Sequence, residues 1–95
     1  MFNQAAIYKE MGDYQNAARV YEQEYALHLK VRGEEHTKTQ DALHYLAEAY
    51  SQLGQHQKAA QLYKQQYIVY SRTRGEDYWE TECARQNMEQ ETAKA

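Results

Sequence analysis

Four glycines partition this chain. They stand at Gly12, Gly33, Gly54 and Gly75, each 21 residues after the last, and there is no other glycine and no proline. Glycine takes a positive φ at little cost, so helices commonly stop there. Evenly spaced stops predict a run of helices of similar length and an all-α fold. The neighbours of successive glycines alternate in kind, so the true period is two steps, or 42 residues.

Laying residues 1–42 over 43–84 shows the repeat directly. Tyr8 falls on Tyr50, Ala17-Ala18 on Ala59-Ala60, Tyr21 on Tyr63, Tyr25 on Tyr67, Arg32 on Arg74, Gly33-Glu34 on Gly75-Glu76 and Thr39 on Thr81. The matches favour small and aromatic residues, which are the positions that packing dictates. Ten tyrosines supply much of the bulk of this 95-residue chain. Tyrosine buries a ring while its hydroxyl stays near water, which suits a thin, elongated stack.

The first helix is expected to run to about Met11, with Met1, Gln4, Ala5, Tyr8 and Met11 on one face. Leu43, Leu46, Ala47, Tyr50 and Leu53 repeat that face at helical spacing in the third. The second helix starts near Tyr14 behind a capping Asp13, which can accept from the amide of Gln15 or Asn16. It carries one stripe of Tyr14, Ala17, Ala18, Tyr21, Tyr25 and Leu29, and a second of Val20, Leu27 and Val31, as an interior layer would. The fourth helix, about His56 to Arg74, repeats it. Thr37 and Gln40 have capping-box spacing at the start of the third. A fifth helix, about Trp79 to Thr92, is polar nearly all round and reads as a cap on an open apolar end. Trp79 is expected to pack against the end of the fourth helix; an exposed anchor for another chain is the other reading.

Tyr8 through Gly12 and Tyr14 to Ala17, with a second copy from Tyr50 through Gly54 to Ala59, resembles the centre of the tetratricopeptide repeat. That family runs to about 34 residues per helix pair. The longer period, the stretch Gly33-Glu34-Glu35-His36-Thr37-Lys38-Thr39 and Leu43-His44-Tyr45-Leu46-Ala47 are similar to the kinesin-light-chain type. The resemblance implies an α-solenoid of two helix-turn-helix repeats, residues 1–36 and 37–78, with a capping helix at 79–95. It also implies a fragment of a longer repeat protein.

In such repeats the first helix of each pair lines the concave surface. By motif position that surface carries Phe2, Ala6, Lys9 and Glu10, then Asp41, His44, Tyr45, Glu48, Ser51 and Gln52, then Gln86, Asn87 and Gln90. Lys9, Asp41, His44, Tyr45, Glu48 and Gln52 are the candidate peptide-binding residues, with Tyr45 as an aromatic shelf. The family's paired asparagines are His44 and Tyr45 here, and the surface is mixed in charge, so the family's cargo preference is not carried over.

The implied function is protein–protein interaction, with a peptide or partner helix on the concave side. Self-association is the alternative, as a homodimer or a helix-exchanged pair. With a net charge of −3 and no basic run, nucleic acid is a poor partner. No apolar run approaches the roughly 18 residues of a membrane span. The lone Cys83 fits a reducing, cytoplasmic setting, and Glu80 and Glu82 oppose its thiolate. No phosphate loop or nucleophile constellation suggests an enzyme, and no cofactor is expected. His44, Glu48 and Asp41 form the one grouping with any metal-binding character, and a metal is not expected. The tyrosine stripe is read as core.

Overall fold

The computed structural model describes residues 4–95, with side chains from Ala5 onward. Five helices follow in order: α1 Gln4–Glu10, α2 Tyr14–Arg32, α3 Thr37–Gln52, α4 His56–Arg74 and α5 Trp79–Lys94. Among the described residues there is no strand. The expectations placed on Met1, Phe2 and the side chain of Gln4 lie outside what is described.

All four glycines have positive φ. At Gly33 and Gly75 the pair is φ 86°, ψ 165° and φ 88°, ψ 166°, a region essentially closed to residues with a Cβ. The chain therefore leaves α2 and α4 in the same direction, and the same short link leads into the next helix. Gly12 and Gly54 supply the tighter turns between the members of each pair. Short links force antiparallel neighbours.

α1, α3 and α5 form one layer, and α2 and α4 the other. The molecule measures 35 × 33 × 18 Å, and its short dimension is close to two helices deep. Alanines let the layers approach. Ala5, Ala17, Ala18, Tyr21, Leu46 and Ala49 form one buried cluster across α1, α2 and α3. Ala47, Ala59 and Tyr63 form the next, with Met88 of α5 packed on it. Tyr50 and Leu62 touch both clusters and make them continuous. The methyl groups at these crossings are buried, and overpacking such a contact costs about 1–3 kcal/mol.

The expected caps are met at one end and replaced at another. Asp13 Oδ1 accepts from the Asn16 amide at 3.3 Å. The box of Thr37 and Gln40 does not form, because Thr37 is already the first helical residue. His36 caps instead, its Nδ1 accepting from the Lys38 amide at 3.1 Å. Gln40 is buried and its Nε2 donates to the Glu34 carbonyl at 2.7 Å.

Three further expectations are corrected. α1 stops at Glu10, so Met11 falls in the turn and is 71% exposed. The second stripe of α2 is only partly covered. Val20 packs on the first cluster, whereas Leu27 and Val31 are exposed, because no described helix lies over that flank.

Trp79 is also not packed, being 74% exposed. Its neighbour takes the packing role: the Tyr78 ring meets Tyr70 edge-on at 6.2 Å, with the Arg74 guanidinium 5.0 Å above it. α5 is less uniformly polar in place than in sequence, since Thr81, Ala84 and Glu91 are buried against its neighbours.

Candidate functional site

Helical periodicity places Asp41, His44, Tyr45, Glu48 and Gln52 along one side of α3. α1 lies beside that side and brings Lys9 to it. The Lys9 ammonium stands 2.9 Å from a Glu48 oxygen and 5.1 Å over the Tyr45 ring. The hydrogen bond to Glu48 raises the Lys9 pKa against the opposing effect of burial. His44 Nε2 is 3.9 Å from the other Glu48 oxygen.

A row of rings crosses the layers at this point. Tyr45 stacks on Tyr21 at 5.4 Å, and His44 meets Tyr45 at 5.7 Å and Tyr63 at 5.9 Å, both edge-on. Tyr21 and Tyr63 are buried and anchor the ends of the row in the core. Burial pushes the Tyr63 hydroxyl up to about 12, with Glu48 and Glu91 acting in the same direction. That hydroxyl therefore stays protonated at neutral pH. The row is a rigid base from which Tyr45 presents a partly open ring, 41% exposed.

Lys9, His44, Tyr45 and Glu48 thus come together. Asp41 and Gln52 flank them from opposite ends of α3, about 16 Å apart at 1.5 Å per residue. Gln52 is exposed in the last helical position. Asp41, also exposed, opens onto a hollow of about 360 Å³ between α3, α4 and α5. Its walls include His44, Tyr70, Trp79, Glu80 and Cys83.

Sequence reasoning missed this hollow because it packed Trp79 against the end of α4. The signal was present in the order of residues: Tyr78 and Trp79 are adjacent on a helix start, so both cannot face the same neighbour.

It also missed a polar clasp between α4 and α5. His56 Nδ1 lies 2.9 Å from Glu91 Oε1, and Lys94 Nζ 3.3 Å from Glu91 Oε2. Burial raises the Glu91 pKa, yet hydrogen bonds from His56, Ser51 and Lys94 outweigh it and leave the carboxyl below its usual range. His56 and Glu91 are 35 residues apart, and no local pattern pairs them.

Among the described residues, no group of three His, Cys, Asp or Glu side chains converges as a metal site, and no helix is long and apolar enough to cross a membrane. The arrangement offers aromatic surface, fixed charges and amide groups for recognition. Comparison with curated proteins returns no significant match. Residues 1–67 match the sequence profile of the family described as tetratricopeptide repeat. That match spans more than half of the chain and agrees with the layered helix pairs, so the chain belongs to the tetratricopeptide repeat family.

Proposed function

We propose that this chain is a binding module that holds a peptide or a partner helix on the face formed by α1, α3 and α5. Tetratricopeptide repeats generally mediate protein–protein interaction. The observation that carries the reading here is the Lys9–Glu48–Tyr45–His44 cluster, which is held rigid from below and open from above. An aromatic ring within a polar rim is a usual form for an energetic anchor. Peptides selected from a display library against the chain, measured by titration calorimetry, test the reading. Tyr45→Ala with Glu48→Ala is expected to weaken them about tenfold or more. Unchanged affinity in a folded double variant overturns it.

The finer assignments belong to the same proposal. The 42-residue period and the Gly33–Thr39 link support the kinesin-light-chain subtype, with residues 1–36 and 37–78 as repeats and 79–95 as a cap. The absence of a nucleophile or phosphate-loop motif from the sequence supports a non-enzymatic role. The lone cysteine supports a cytoplasmic setting, and the charge pattern a protein partner in preference to nucleic acid or membrane.

One observation favours the second reading, a homodimer. Leu27 and Val31 leave an apolar strip open on α2. Light scattering over a dilution series tests it, and a monomer at every concentration removes it.

A further inference from the structure

The face formed by α1, α3 and α5 differs in charge along its length. Near α1, positive and negative groups are already matched, Lys9 with Glu48. At the hollow beside α5, Asp41 and Glu80 contribute two carboxylates, and no lysine or arginine lines it. Among the described residues neither carboxylate has an ion-pair partner. Arg74 lies over the rings of Tyr78 and Tyr70 at 5.0 and 5.9 Å and does not itself line the hollow.

Both carboxylates line the hollow. Tyr70 lies buried in its wall; burial raises its hydroxyl most, Glu80, to which it also hydrogen-bonds, and Asp41 raise it further, and the Arg74 charge opposes them. Trp79 stands in the same wall, 74% exposed. A tryptophan face is the best of the aromatic surfaces for a cation, and carboxylates supply charge-assisted hydrogen bonds. Gln66, Gln86 and Asn87 add neutral amides to the wall, and His44 an imidazole.

The geometry points to a socket for a basic side chain: the hollow between Asp41, Trp79 and Glu80 receives a lysine or arginine of a peptide bound on the α1–α3–α5 face. This names the partner chemistry of the binding face proposed above and rests on that reading. The charged head bonds to the carboxylates, and the aliphatic stem lies along the indole. An acidic or phosphorylated residue at the same place meets two like charges and is rejected.

The test uses small probes, so it does not depend on finding the partner. Nα-acetyl-lysine amide and Nα-acetyl-arginine amide are titrated into the ¹⁵N-labelled chain, and the Trp79 indole N–H and the Ala84 and Asn87 amides are followed by NMR. The neutral control is the same lysine amide acetylated at Nε. Saturable shifts are expected with the two cations and not with the control. Asp41→Asn with Glu80→Gln, which keeps shape and removes charge, is expected to weaken the cations about tenfold. Trp79→Ala is expected to weaken them less, read on the backbone amides.

Equal shifts from the neutral control, no saturable shift, or unchanged binding by the Asn/Gln variant overturns the socket. Selected peptides that still depend on Tyr45 in that event leave the binding face standing. A charge-selective hollow in a chain whose peptides ignore Tyr45 and Glu48 does the reverse.

Discussion

Leu27 and Val69 occupy the same place in two helices of 19 residues each, and their surroundings are opposite. Val69 is 2% exposed and Leu27 59%. The helix pair α3–α4 has α2 on one side and α5 on the other. Among the described residues the pair α1–α2 is covered by α3 alone. Burial in a stack of this kind is set by the neighbouring layer, so equivalent residues carry different energies. The same contrast holds within the inner layer. Leu46 is buried in the first cluster, while Met88, its counterpart in α5, is only partly buried on the second.

The comparison can be broken at several points. The largest effect is expected at Leu46→Ala, a loss of about 2–4 kcal/mol in denaturant unfolding, with Met88→Ala costing less than half as much. Equal losses would mean that α3 and α5 are covered alike. Val69→Ala should follow at about 2 kcal/mol, against no more than about 0.5 kcal/mol for Leu27→Ala. A large loss at Leu27 would show that its flank is covered in solution.

Glu91→Gln should cost about 1–2 kcal/mol at neutral pH, since three donors lose a charged acceptor. The sign in acid follows from the depressed carboxyl. Its contribution is complete above the unfolded carboxylate pKa and is lost as pH falls through the folded value. The variant should therefore lose less stability than the parent between neutral pH and acid. A parallel decline in both would remove the clasp from the account.

The smallest contrast concerns caps. Asp13 caps α2 through its side chain, and Gln55, its counterpart before α4, makes no such bond. Asp13→Ala should cost about 1 kcal/mol and Gln55→Ala only a few tenths, while Gln55→Asp should stabilise. Thermal melts of the three variants sharpen the comparison.

The helix order and both pairings were legible because glycine spacing and alanine positions are local and periodic signals. So was the grouping of His44, Tyr45 and Glu48, which share one helix side. Lys9 joined them through motif position, which stands in for the crossing of α1 on α3. What sequence reading missed depends on which flank is covered. Leu27, Val31 and Trp79 are apolar in any listing of residues, yet their exposure is decided by neighbours that periodicity does not specify. The His56–Glu91 clasp was invisible because its two members come from helices whose register is fixed only by packing. The cap at His36 was missed because the link after Gly33 enters α3 one residue earlier than the Thr37 box requires.

A body two helices deep, in which each rod rests mainly on the rods next to it in sequence, has mostly short-range contacts. Such chains fold fast, since few distant segments must meet before contacts begin to stabilise them. They also open from the ends. α1, which packs mainly on α2, should exchange its amide protons first, and α3, pressed between its neighbours, last.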